Sequence, residues 1–226
     1  DLIKNYLANI YELEIQKMGE IKFRSFPVPH YEILNLFTKV HSEESNLKIK
    51  KLLIYPKLTG IYNFKNFKIE RIKLENNDME VNLGDMKFLQ KLFFNPEKKM
   101  RFENLNINIK DKNKEIIILK NINFKNYGYK KNKIDGFVFN EKFKASLLDN
   151  PTIINFKILK TGIKTKLQIT EKNKDSYVTG IFEGKILNSN FKLNFFYNKN
   201  LIKFDKFYFR DKKISLDSQG YLQLKP

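Results

Sequence analysis

Apolar residues recur with helical spacing at the start of the chain and with alternation almost everywhere else. Leu2, Ile3, Tyr6, Leu7 and Ile10 fall on one face of a short amphipathic helix. The period then drops to two. Leu13 and Ile15 alternate with Glu12, Glu14 and Gln16, and Ile21 and Phe23 alternate with Lys22 and Arg24, with Gly19 read as the turn between. Pro27 and Pro29 cannot donate to a sheet ladder, so they form a stiff corner before the next strand, Tyr31 to Phe37. Ser42 to Asn46 reads as a polar loop and Ile49 to Tyr55 as a strand closed by Pro56. Leu58 to Phe64 reads as a short helical element. Phe67, Ile69, Ile72 and Leu74 form a strand with a phase slip at Glu70 and Arg71 that marks a bulge. Asn76, Asn77 and Asp78 read as a turn into Met79 to Leu83. A second helix is predicted after Asp85 as N-cap, with Phe88, Leu89, Leu92 and Phe93 on one face and Pro96 beyond its end.

From Met100 onward the pattern is strand and turn. Leu105, Ile107 and Ile109 alternate with asparagines, and Ile116, Ile118, Ile122 and Phe124 form the next stripe. Ile163, Leu167 and Ile169 follow, then Val178, Phe182 and Ile186, then Phe191, Leu193, Phe195 and Tyr197, with later strands begun by Ile202 and by Ile214. Polar turns fall at 111–114, 172–175, 198–200 and 211–213. The predicted fold class is mainly β: a long antiparallel meander curled into an open, taco-like groove, with two short helices in the N-terminal half. The chain reads as a single domain, residues 1–226, with a helix-bearing N-terminal segment (residues 1–98) and a C-terminal meander (residues 99–226). Two short helices cannot cover so long an apolar face. The second half must close on itself or leave a groove for something else to fill.

Composition narrows the chemistry. With no cysteine, the chain has no disulfide, zinc–thiolate site or cysteine nucleophile. The net charge of +18 favours polyanions such as nucleic acid, anionic lipid or lipopolysaccharide. The lysines are spread through strand patterns, and many sit on solvated faces. No apolar run is long enough to span a bilayer and no signal-peptide pattern is visible; a start at Asp1 fits an excised piece.

Catalytic patterns are missing from the sequence. His30 and His41 are isolated, and His30 reads as a packing residue at the proline corner. Gly180 to Lys185 is too short for a phosphate loop and sits in alternating sequence. There is no nucleophile elbow and no isolated carboxylate pair. The segment Lys203 to Arg210 interleaves aromatics with cations, which suits a strand with an aromatic face better than a base-stacking surface. The expectations are therefore no enzyme, no cofactor and no metal.

Residues 1 to 85 resemble the N-terminal region of the AsmA family of bacterial envelope proteins. The resemblance is carried by the order helix, strand, Gly19, strand, Pro27-x-Pro29, strand, followed by Ile49 to Leu58 and the Ile69, Ile72, Leu74 run. A glycine near Leu13 is absent, and Asn77 stands where that family usually has a proline. The resemblance implies a protein on the periplasmic side of the Gram-negative inner membrane, anchored by a helix upstream of Asp1. It also implies that a hydrophobic β-groove handles phospholipid or lipopolysaccharide for outer-membrane assembly or maintenance. The groove candidates are Leu105, Ile107, Ile109, Ile116, Ile118, Ile122, Phe124, Phe191, Leu193, Phe195 and Tyr197, with Pro27 and Pro29 as the structural corner. The alternatives are a structural or adhesive β-domain and a basic nucleic-acid-binding protein.

Overall fold

The computed structural model describes residues 2–40, 42–57, 68–82, 85, 93, 99–111, 114–126, 131–148, 152–172, 177–198 and 201–223. The chain is mainly β and divides into two compact units, Asp1–Asn140 and Glu141–Pro226. The change of pattern at 98/99 therefore falls inside the first unit.

The first unit contains α1 (Leu2–Tyr11), β1 (Leu13–Lys17), β2 (Ile21–Arg24), β3 (His30–Val40), β4 (Ser42–Pro56), β5 (Ile69–Asn82), β6 (Met100–Asp111), β7 (Lys114–Asn126) and β8 (Lys131–Val138). These strands lie side by side in chain order, with β1 and β2 both paired to β3. Gly19 does not turn the chain. It carries β1 into β2 along one edge of β3, where its amide donates to Leu34 O at 3.0 Å. A Cβ at Gly19 would lie 2.5 Å from that oxygen, so only glycine fits the close approach. The proline corner is where the sequence places it, between the antiparallel β2 and β3. His30 packs there as expected, donating from Nδ1 to Val28 O at 2.7 Å, its ring 5.5 Å from that of Tyr55.

Three expectations change. The polar stretch Ser42–Asn46 belongs to β4, because β3 and β4 meet in a tight hairpin and its backbone pairs with Lys39 and Val40. Asn76 to Asp78 lie inside a continuous β5, with Asn76 in left-handed backbone at φ 55°. The sheet is mixed, since β5 and β6 run parallel while the other pairings are antiparallel. A parallel pair needs a long crossover, and residues 83–99 supply it. One helix, α1, is delimited among the described residues. Of the second predicted helix, Asp85 and a helical Phe93 are described and the rest lies outside the described residues, as does the short element at 58–64. The bulge predicted near Glu70 and Arg71 is present, opposite Tyr55 and Pro56.

One face of the first unit's sheet is a filled core. Ile33, Leu47, Leu52, Ile54, Ile72, Leu74, Met100 and Leu105 are solvent-free. Leu7 and Tyr11 of α1 are buried with them, and Tyr11 Oη reaches Lys99 O at 3.5 Å. The buried stripe of α1 thus runs through Leu7 and Tyr11, leaving Ile10 at 43% exposure. Phe93 stacks edge-on against Phe102 and Phe124, with ring centroids 5.4 and 5.0 Å away. The opposite face is ionic: Lys51 bridges Glu32 and Glu75, and Lys73 bridges Glu75 and Glu103.

The second unit contains β9 (Glu141–Leu148), β10 (Ile153–Ile158), β11 (Lys164–Lys172), β12 (Val178–Ile186), β13 (Ser189–Asn198), β14 (Leu201–Arg210) and β15 (Ser215–Gln223). This is the predicted meander: each strand pairs antiparallel with the next, and its first and last strands, β9 and β15, do not pair with each other.

Candidate functional site

In the second unit the cross-strand register sorts every side chain to one of two faces. Phe143, Ala145 and Leu147 of β9 stand opposite Ile158, Phe156 and Ile154 of β10. Ile154 then meets Leu167 of β11, which meets Phe182 of β12, which meets Leu193 of β13, which meets Phe207 of β14. Parallel rows run through Gly184, Phe191 and Phe209, and through Gly180, Phe195 and Phe204. The face is mostly apolar from the first strand to the last, where Leu216 and Leu222 flank Ser218; Thr165 is its polar residue on β11. A bulge at Asn194/Phe195 opposite Asp205 and Lys206 keeps Phe204 and Phe207 on the same face despite their odd spacing.

This floor has no second layer among the described residues of its unit. Phe143, Leu147 and Phe191 are buried, at 4%, 9% and 9% exposure, and Phe182, Leu193, Phe195, Tyr197, Phe204, Phe207 and Phe209 are half-buried. Leu216 and Leu222 remain 48% and 54% exposed. The contrast with the first unit is direct, since there the equivalent face is covered by α1 and Phe93.

Glycines shape the floor. Gly180 pairs across strands with Phe195, Gly184 with Phe191 and Gly220 with Phe204. A Cβ at these glycines would lie 2.7, 3.1 and 2.9 Å from the three rings. Each ring therefore lies down over its neighbour's bare backbone, a pairing that restores packing lost at a strand glycine. Phe182 and Phe191 add a tilted contact with centroids 5.0 Å apart.

The groove candidates separate into two groups. Phe191, Leu193, Phe195 and Tyr197 lie together on this floor, Phe191 buried and the other three half-buried. Leu105, Ile107, Ile109, Ile122 and Phe124 lie together in the first unit's covered face, each at most 7% exposed. Ile116 and Ile118 face the other way, because Asn121 takes a left-handed conformation (φ 50°) and shifts the alternation of β7 by one residue. Ile117 and Leu119 take their places opposite Ile109 and Ile107. Sequence reading missed Phe143, Leu147, Ile154 and Phe156, although their alternation was available to find them. It also missed the covering role of the rings, for which the three glycines opposite aromatics were the signal.

The polar face of the first unit carries a depression of about 860 Å³, lined by Lys17, Asn35, Lys48, Lys50, Asn76, Asp78, Asn104, Asn106 and Asn121 among others. Its amides bond one another: Asn104 Nδ2 donates to Asn76 Oδ1 at 3.1 Å, and Asn106 Nδ2 to Asp78 Oδ1 at 2.9 Å. These bonds make it a structural seam, although Asn77, which also lines it, keeps a buried Oδ1 without a partner. Among the described residues no three metal-ligating side chains cluster.

No family model, no curated protein and no solved structure matches this chain.

Proposed function

We propose that the chain is a lipid-handling protein in which the apolar face of the second unit holds acyl chains. The observation that carries this reading is the mostly apolar floor that runs from Phe143 to Leu222, broken by Thr165 and Ser218 and without a second layer among the described residues of its own unit. Extended methylene chains suit such a surface. Its polar groups are few, the hydroxyls of Thr165, Tyr197 and Ser218, three of its rings lie over glycine backbone, and each methylene moved from water contributes about 0.8 kcal/mol. The curl into a groove, the periplasmic location at the inner membrane and a membrane anchor upstream of Asp1 belong to the same proposal. They are supported by the resemblance of residues 1 to 85 to AsmA-type proteins. Binding needs no nucleophile, metal or cofactor. The ligand would be phospholipid or lipopolysaccharide.

Lipid extraction and mass spectrometry on protein purified without detergent from a Gram-negative host tests the reading. Phospholipid or lipid A should co-purify, and should be lost when Leu193 and Phe207 are changed to Asp while the thermal melt persists. A lipid-free wild-type protein would overturn it.

A further inference from the structure

The second unit holds 17 Lys and Arg against 8 Asp and Glu, and the strand register concentrates the excess. Lys144 of β9 stands opposite Lys157 of β10, Lys157 opposite Lys164 of β11, and Lys164 opposite Lys185 of β12. The row continues through Asn190 of β13 to Arg210 of β14. All six are exposed and on the face opposite the apolar floor. With strands about 4.8 Å apart, the row is about 24 Å long. Like charges directly opposite in a sheet destabilise it. Among the described residues none of the five cations has an acidic partner, whereas the next row does pair Lys166 with Glu183 at 3.4 Å.

The row's position gives it meaning. It runs along one end of the strands, within about two residues of the connections β10–β11 and β12–β13 and beside the connection β14–β15. These turns expose apolar side chains. Leu187, at the tip between β12 and β13, is 64% exposed, Ile214 is 60% exposed, and their neighbours Ile186 and Leu216 are 46% and 48% exposed. The β10–β11 turn is braced by Thr161 Oγ1, which donates to Ile158 O at 3.2 Å. Apolar tips lead, and a line of cations follows one step behind.

We propose that this end of the second unit is a docking edge for an anionic bilayer surface, with Leu187 and Ile214 entering the headgroup–acyl boundary while Lys144, Lys157, Lys164, Lys185 and Arg210 meet lipid phosphates. A nucleic acid would use the cations but leave the apolar tips without a purpose, so the bilayer is the better match to both features. The inference does not require that the floor hold lipid.

The test is sedimentation of the whole chain with vesicles of phosphatidylcholine, with or without phosphatidylglycerol. The chain should bind the anionic vesicles and not the neutral ones. Each Lys or Arg near such a surface multiplies binding about fivefold, so Lys157→Gln, Lys164→Gln and Lys185→Gln together should weaken it on the order of a hundredfold. Leu187→Asn with Ile214→Asn should weaken binding while keeping its salt dependence; Asn suits the positive φ of 55° at position 187, so folding is preserved. Lys68→Gln, Lys120→Gln and Lys133→Gln, a charge-matched control elsewhere, should bind much more tightly than the row variant. Equal loss in control and row variants would overturn the proposal, since net charge alone would then explain binding. An unchanged tip variant together with full competition by a single-stranded oligonucleotide would overturn it in favour of a polyanion strip. Loss only in the Leu193→Asp, Phe207→Asp protein would assign the contact to the floor and overturn it likewise.

Discussion

Asn104 and Asn76 sit side by side on β6 and β5, both in left-handed backbone (φ 54° and 55°), and the side-chain amide of one donates to the side-chain carbonyl of the other at 3.1 Å. They belong to a seam that crosses the first unit. Gly19 interrupts the edge strand beside Leu34 and Asn35, Asn35 stands opposite Lys50, Lys50 opposite Asn76, and Asn121 continues the line on β7. At each step the alternation slips by one residue, so Ile33 and Leu36, Ile49 and Leu52, Leu74 and Asn77, and Phe102 and Leu105 all point to the core. A slip in one strand alone would send half its apolar residues to solvent. Because neighbouring strands slip together, the core stays continuous.

The seam predicts a pattern of substitutions. Asn tolerates left-handed backbone and alanine does not, at a cost of about 1–2 kcal/mol. Asn104→Ala and Asn76→Ala should each lower stability by about that amount in urea unfolding. Asn104→Gly, which keeps the backbone and loses one exposed hydrogen bond, should cost less than Asn104→Ala. If alanine proves no worse than glycine, the left-handed seam does not contribute.

At the edge the constraint is steric. Gly19→Val places a branched side chain where a Cβ already lies 2.5 Å from Leu34 O. It should destabilise the unit by about 1–3 kcal/mol, as overpacking does. Thermal melts of the variant and wild type check this.

Much of this was legible in the sequence. Alternation located most strands and the turn at 211–213, and the proline corner follows from proline's missing amide. Asn76 to Asp78 misled because Asn favours turns and left-handed bulges for the same reason, its tolerance of positive φ. The same ambiguity at Asn121 placed Ile116 and Ile118 with Ile122. Strand direction is not written in periodicity at all, so the parallel β5–β6 pair was not legible in the alternation. Of the floor, Phe191 to Tyr197 was visible, since β13 alternates without interruption. The open character of that face depends on which elements cover it, and only the three-dimensional arrangement supplies that.

Acid should loosen the first unit before it affects the uncharged floor. The hydrogen bond from Lys110, at 2.9 Å, holds Glu80 below the usual carboxylate range. Burial pushes Glu75 up, but Lys73 and Lys51 outweigh it and leave its pKa lowered. Carboxylates lowered by folding contribute stability above their unfolded pKa, about 4.3, and lose it as pH falls through the folded value. The melting temperature should therefore be flat near neutrality and fall below about pH 4.5, less steeply in Glu75→Gln than in wild type.

Packing under the helix gives a further check. Leu7 is solvent-free against the sheet, so Leu7→Ala should cost about 2–5 kcal/mol. Ile10→Ala, at 43% exposure, should cost far less. Equal effects would mean that α1 packs by another face.

The central claim is that acyl chains lie on one face of the second unit, and photocrosslinking tests it most directly. A benzophenone amino acid at position 193 or 207 should form adducts with phospholipid acyl chains in bacterial membranes. The same group at position 192 or 206, on the opposite face, should not. Adducts at 192 equal to those at 193, or none at either floor position, would contradict the account.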